Sequence, residues 1–354
     1  MAKKTAQKTR RELARYSDFQ TVFHSGATSY PSHLIEGITN CRKQLGGSLF
    51  FDLLLHSIGI EHGIRKLYPP KDTEHLRELH RQIIESPADA SQRQALLYYL
   101  LLNSPDLHPS SNSQPENGRD NSGRSYEAQA FAKNCLLPSS YSTVSFGFWL
   151  MDRMRFAEAL SPLLDPLVKP TLPEEILICL VKHTKPEEHN LAMTYYDAVT
   201  PEITTTDNLK AFFAVYSKLN VTQAFFFARQ QKEERHCLLV EELSRNVVTD
   251  STSSKIIKAE NAAEFINLPF DAQELQWLTR FLTEGELAGS EQASGTLEML
   301  NMSRGLADAS HSRLLGFPAA PKNEIWQGLR DADSLAMNGP LLPAGSFDIA
   351  KALG

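Results

Sequence analysis

From about residue 140 to 247 the chain repeats one pattern: an apolar segment at three- and four-residue spacing, a break of a few residues, then another such segment. SYSTVSFGFWLMD (140–152), RFAEALSPLL (155–164), PEEILICLVKH (173–183), EEHNLAMTYYDAV (187–199), TTDNLKAFFAVYSKL (205–219), TQAFFFARQQ (222–231) and ERHCLLVEELSRNV (234–247) follow in turn. Such spacing marks helices that bury one face, and breaks this short favour antiparallel neighbours. Pro162, Pro170, Pro173, Pro186 and Pro201 fall mostly at or between segment ends, where proline is tolerated. The same grammar runs upstream. HLIEGITNCRKQL (33–45) and SLFFDLLLHSIGI (48–60) are separated by Gly46-Gly47, and DTEHLRELHRQII (72–84) follows Pro69-Pro70 with Asp72 or Thr73 placed to cap it. ASQRQALLYYLLLN (90–103), with Ser91 as its expected cap, is apolar on nearly every face, which predicts a helix enclosed by its neighbours. Strand-like alternation is scarce. The expected fold is all-α, an irregular α-helical solenoid of short antiparallel helix pairs, because no fixed period of about 34 residues is present.

Composition sets the boundaries. Residues 1–29 read as a basic N-terminal arm, with Lys3, Lys4, Lys8, Arg10, Arg11 and Arg15 against a single acid, Glu12, in the first fifteen positions. Such a cluster suits a solvated arm, a nuclear-localisation signal or a nucleic-acid contact. The helical domain is expected over 30–287, interrupted at 104–124 by SPDLHPSSNSQPENGRDNSGR, a stretch polar enough to read as a flexible loop. From 288 to 354 small residues, Gly and Pro dominate, and Leu297, Met299, Leu300, Phe317, Trp326, Leu329, Leu341, Leu342 and Phe347 stand as isolated apolar anchors. A segment of that kind is expected to lie extended on a surface, its own domain's or a partner's. Phe317, Trp326, Leu341, Leu342 and Phe347 are its candidate docking residues.

The chain is 42% hydrophobic and 22% charged, with a formal net charge of −6, a balance that does not mark a general binder of nucleic acid or anionic membrane. Cys41, Cys135, Cys179 and Cys237 are far apart and form no Cys-x-x-Cys pair, so reduced, buried thiols are expected. The longest apolar stretches, 49–60 (interrupted by Asp52) and 95–102, fall short of the roughly 18–20 residues needed to span a bilayer. The N-terminus lacks the apolar core of a secretory signal, so the Asn220-Val221-Thr222 sequon is expected to stay unglycosylated.

Motifs for chemistry are missing. No phosphate loop, dinucleotide fingerprint, His-Glu-x-x-His or nucleophile elbow occurs. His75 and His80 are five residues apart, about 140° around a helix, and read as solvated surface residues rather than metal ligands. His183 with His189 could form an acid–base pair only if the intervening turn folded them together. His236 and Cys237 are sequence neighbours, which points them apart on a helix. Glu174-Glu175 and Glu187-Glu188 follow prolines at helix starts and complement the helix dipole. The reading is a non-enzyme with no cofactor, no metal and no small-molecule substrate.

One stretch stands out, NVTQAFFFARQQ (220–231). At about 100° per residue, Val221, Ala224, Phe225 and Ala228 share a face, while Phe226 lies nearly opposite it. Phe225 is therefore expected in the core. Phe226 needs a cover, either a neighbouring helix or another protein, and is a candidate partner-binding residue.

Four blocks, LLYYLLLN (96–103), WLMDRMRFAEALSPLLDP (149–166), LAMTYYDAVTP (191–201) and NVTQAFFFARQ (220–230), resemble the ELYS-like domain of nuclear pore assembly proteins, the likeness covering about residues 33–250. The resemblance implies an α-helical scaffold nucleoporin of the nuclear envelope. It would associate with the other nucleoporins of the Y-shaped outer-ring complex and support pore assembly and transport of protein and mRNA. Larger animal relatives add a β-propeller and AT-hook DNA-binding motifs. This chain has negligible strand patterning and no Arg-Gly-Arg-Pro core, so it resembles the short fungal form, and direct chromatin binding is not implied. The alternative reading is a nucleic-acid or chromatin adaptor that uses the basic arm.

Overall fold

A computed structural model of the chain describes residues 16–23, 30–60, 64–103, 125–249 and 255–303. The fold is all-α: the described residues form helices joined by turns, with no strand. The chain divides into two compact units, residues 1–203 and 204–354. One continuous domain over 30–287 was the expectation from sequence.

In the first unit the helices are α1 (Phe19–Val22), α2 (Ser32–Gln44), α3 (Phe50–Ser57), α4 (Ile64–Leu67), α5 (Thr73–Glu85) and α6 (Ala90–Leu102). They continue as α7 (Tyr126–Cys135), α8 (Ser139–Met151), α9 (Phe156–Leu163), α10 (Pro173–His183), a 3-10 turn at Pro186–Glu188 and α11 (Asn190–Val199). Helix α6 lies at the centre, packed by α3, α5, α7 and α8. Every residue from Gln94 to Leu102 is buried, as an all-round apolar helix requires. Its cap is Asp89, not Ser91. Asp89 accepts from Gln92 N at 2.8 Å while the Gln92 side chain accepts from Asp89 N, a reciprocal capping box that starts the helix two residues earlier. Helix α8 packs closely on α9 because Gly147 has no Cβ, and one placed there would stand 2.7 Å from Leu163 Cδ2.

Two expectations fail in this unit. The basic arm was expected to run to residue 29, yet Tyr16, Phe19, Val22 and Phe23 are buried. His80, read as a surface residue, is buried as well, with its Nε2 3.0 Å from the Tyr16 carbonyl and its ring edge-on to Phe19. The reason is positional: Leu76, Leu79, His80 and Ile83 form one buried stripe of α5, and His80 falls inside it.

The second unit contains α12 (Thr206–Leu219), α13 (Val221–Arg229), α14 (Glu233–Thr249), α15 (Lys255–Ile266), α16 (Ala272–Glu284) and α17 (Glu291–Ser303). The long α14 is its organising element and packs against each of the other five. Its buried stripe is Leu239, Val240, Leu243, Val247 and Val248. Thr205, Asn220 and Asp271 cap α12, α13 and α16 through the backbone amides three residues ahead. Helix α17 corrects another expectation, because residues 291–303 do not begin an extended tail. Ser290 Oγ accepts from Ala293 N, and Ala293, Leu297 and Leu300, one apolar face, are buried within the unit. The loop expected at 104–124 and the tail from 304 onward lie outside the described residues.

Candidate interaction surface

The four blocks singled out in the sequence contribute mainly to the inside of the molecule. The N-cap of α3 is Leu49, a residue with no side-chain oxygen to cap the helix, so its first amides need partners from elsewhere. Asp152 supplies them from a hundred residues away. Its Oδ1 accepts from Phe50 N at 2.6 Å and its Oδ2 from Phe51 N at 3.0 Å, and Tyr99 Oη donates to Oδ2 at 2.7 Å. The negative carboxylate thus sits at the positive end of α3. Burial pushes the Asp152 carboxyl up to about 7, against the pull of these three donors. Beside it Asn103 Oδ1 accepts from Trp149 Nε1 at 2.8 Å and from Arg153 at 2.6 Å, while Asn103 Nδ2 donates to Tyr68 Oη at 3.2 Å. Arg42 and Asp52 form a second buried pair, bidentate at 2.9 and 2.7 Å, with Asp52 also accepting from Leu49 N. LLYYLLLN and WLMDR are therefore two halves of one hydrogen-bonded hub that joins α3, α6 and α8.

The second unit has an analogous centre at Glu274, which is fully buried. It receives Arg229 through two bonds of 2.7 Å, lies 3.0 Å from His236 Nε2 and accepts from Asp271 N at 2.8 Å. Arg229 also donates to the Pro269 carbonyl at 2.6 Å and stacks over Phe225, its guanidinium carbon 4.3 Å from the ring centre. The Phe-Ala-Arg end of α13 thus ties that helix to α16. Neighbouring Cys237 has a different partner, Glu241.

Neither centre has the makings of a reactive site. Both are filled by donors and acceptors already paired with each other. Burial raises the thiols of Cys41, Cys179 and Cys237, that of Cys179 to about 12, which leaves little nucleophilic thiolate. Among the described residues no three His, Cys, Asp or Glu side chains converge as a metal site, and no helix is long and apolar enough to cross a membrane. A cleft of about 460 Å³ between α6, α7 and α8 is lined by Tyr98, Tyr126, Gln129, Ala130, Lys133 and Ser142, with no carboxylate or imidazole in the lining.

What the described surface offers instead is large apolar side chains held in water. Phe226 is 46% exposed although its neighbours Phe225 and Phe227 are buried. The division follows the helix wheel. Phe225 packs edge-on to Phe270, Phe227 lies among Phe212, Phe213 and Tyr216, and Phe226 falls on the outer stripe with Gln223 and Gln230. Of the two covers the sequence left open for Phe226, no described helix supplies the first. In the first unit Leu167 is 74% exposed on the turn after α9, where its amide donates to Asp165 Oδ1 at 2.8 Å. Leu136 is 67% exposed and holds φ at +56°, a left-handed conformation costing a leucine about 1–2 kcal/mol. Tyr126, at the start of α7, the helix that Leu136 follows, is 59% exposed. The sequence reading missed Leu136 and Leu167, since one exposed leucine in a loop leaves no periodic signal. The other candidate residues, Phe317, Trp326, Leu341, Leu342 and Phe347 with Lys3, Lys4, Lys8, Arg10, Arg11 and Arg15, lie outside the described residues.

Comparison with known proteins agrees with the blocks. Over 258 residues, 72% of this chain and 74% of the relative, the chain is 26% identical to an uncharacterized protein, ely5, of Schizosaccharomyces pombe. The model of the ELYS family, described as nuclear pore complex assembly, matches residues 48–285, a span that contains the Asp152 hub, the Glu274 cluster and the whole of α13. The chain is a member of the ELYS family of nuclear pore complex assembly.

Proposed function

We propose that this protein is a non-catalytic structural nucleoporin. It binds other nucleoporins of the Y-shaped outer-ring complex at the nuclear envelope and thereby supports pore assembly and the transport of protein and mRNA. The observation that carries the reading is how the two units use their polar residues. Asp152, Asn103, Arg42 with Asp52, and Arg229 with Glu274 are consumed in buried, mutually satisfied networks, which leaves exposed apolar side chains to act outward. Association through a few aromatic or aliphatic anchors is what such a surface is suited to. Phe226 is the best-placed anchor in the second unit, and Phe317, Trp326, Leu341, Leu342 and Phe347 extend the set along the C-terminal segment.

Affinity capture with the full tagged chain from a nuclear-envelope extract tests this. The expected result is recovery of outer-ring nucleoporins, weakened by Phe226→Asp while the variant remains folded. Recovery of none of them at low salt overturns the proposal. Duplex DNA captured by the full chain and lost on removal of residues 1–15 would favour the nucleic-acid adaptor instead, because phosphate contacts make such binding fall steeply with salt.

A further inference from the structure

Helix α2 carries little in its own sequence to keep it folded. Its N-cap is Pro31, which offers no side-chain acceptor, and no acidic residue follows in the first turn. Gly37 stands exposed in its interior with nothing within 4 Å of the place a Cβ would take, so no close approach requires a glycine there. Packing adds little more. Helix α2 shares no extended packing with another described helix, whereas α3 packs on α4, α6 and α8. Of its thirteen residues Ile38 and Arg42 are buried, while Leu34, Ile35 and Cys41 are half-buried.

What fastens it is polar. Arg42 makes its bidentate pair with Asp52 of α3 at 2.9 and 2.7 Å, its guanidinium carbon 5.6 Å from the centre of the Tyr68 ring. Ahead of the helix, the buried Tyr30 donates from Oη to the Leu100 carbonyl at 2.9 Å, in the last turn of α6. At the other end Gly46 and Gly47 hold φ at +78° and +93°, a left-handed turn that glycine adopts freely, and lead into α3. Residues 30–47 are thus fastened at Tyr30 and Arg42 and pivot on two glycines. A detached helix of this length is marginal in water, so lifting α2 also melts it. Lifting it bares the Asp52 carboxylate, the Leu100 carbonyl and the face of Tyr68 that lies under Arg42.

We propose that residues 30–47 form a lid on the α3–α6 side of the hub, opening while the rest of the first unit stays folded, with Arg42–Asp52 as its latch. Segments with few buried apolar contacts open locally, below the free energy of global unfolding. The closed lid buries both charges of the latch, and the open lid returns both to water. Removing one of them leaves the other buried and unpaired in the closed state alone, which drives the lid open. The lid requires no nucleoporin, so it stands or falls apart from the pore reading.

Amide hydrogen exchange of the full chain, read by mass spectrometry on peptides covering 32–45, 94–102 and 145–151, tests the lid. The amides of α2 should exchange about tenfold or more faster than those of α6 and α8. Arg42→Met keeps an unbranched stem without the charge, and should speed exchange of 32–45 about a hundredfold while α6 and α8 keep their rates. Gly37→Ala favours the helix without meeting a neighbour, and should slow exchange of 32–45 about fivefold. Alkylation of Cys41, which α2 carries, should rank the chains in the same order, fastest in Arg42→Met and slowest in Gly37→Ala. Exchange of 32–45 at the α6 rate, or a rate change shared by all three helices, overturns the proposal. So does an Arg42→Met chain whose α2 exchanges as in the wild type. Gly37→Ala remains readable if Arg42→Met does not fold, and unchanged exchange of α2 in that variant also overturns the lid.

Discussion

Helices α6 and α13 are both unusually apolar, and the molecule treats them differently. Helix α6 has described neighbours on four sides and buries both tyrosines and all its leucines, whereas α13 buries Phe225 and Phe227 and leaves Phe226 nearly half exposed. An apolar sequence is thus not a sufficient sign of burial on every face. What decides is how many neighbours the topology supplies, and a large residue on an unsupplied face stays in water.

Breaking the enclosed side of this comparison should have the largest effect. Asp152→Ala removes the acceptor for two amides of α3 and for the Tyr99 hydroxyl. Each buried unsatisfied group costs roughly 1–3 kcal/mol, so the three groups left without an acceptor should together cost roughly 3–9 kcal/mol in denaturant unfolding. A loss under about 1 kcal/mol, within the range of an ordinary surface substitution, would mean that α3 does not need its distant cap.

Phe225→Ala should come next, at about 3–5 kcal/mol for a buried ring that contacts Phe270 and supports Arg229. Asn220→Ala, which strips the cap from α13, should cost about 1 kcal/mol in the same assay. Phe226→Ala should stay within about 0.5 kcal/mol, as surface substitutions do. Adjacent phenylalanines differing that much sharpen the contrast between a core face and an exposed face. Equal losses for Phe225→Ala and Phe226→Ala would erase it.

The hub also predicts a pH dependence. Asp152 has a folded pKa of about 7, above its ordinary value of 3.8, because burial disfavours its charge. The folded state therefore binds the proton more tightly than the unfolded chain between these values, and the Asp152 contribution to stability falls as pH rises from about 4 to about 7. Wild-type unfolding free energy measured against Asp152→Asn over that range should decline with pH. A difference that is flat or rises would show the three donors outweighing the burial.

Much of this was legible beforehand. Helix boundaries from α8 to α14 follow the three- and four-residue apolar spacing closely, since burial of a stripe is a local requirement written into each segment. Phe225 in the core and Asn220 at a helix start also follow from local rules of rotation and capping. His80 was misread because a polar residue inside an apolar stripe gives no sign of whether a carbonyl waits for it. That carbonyl belongs to Tyr16, sixty-four positions away. Helix α17 was misread because small residues and a glycine dilute its apolar period, yet Ala293, Leu297 and Leu300 still share a face.

By itself, then, the sequence determined that the chain is helical, where most helices begin and end, and which residues face a core. The tertiary structure alone decided that Asp152 caps a helix a hundred residues away, that Glu274 gathers Arg229 and His236, and that Phe226 faces outward. The physical reason is range. Periodicity and capping act within a few residues of one helix, whereas a buried polar group and an exposed ring are defined by whatever the distant chain brings, or fails to bring, against them.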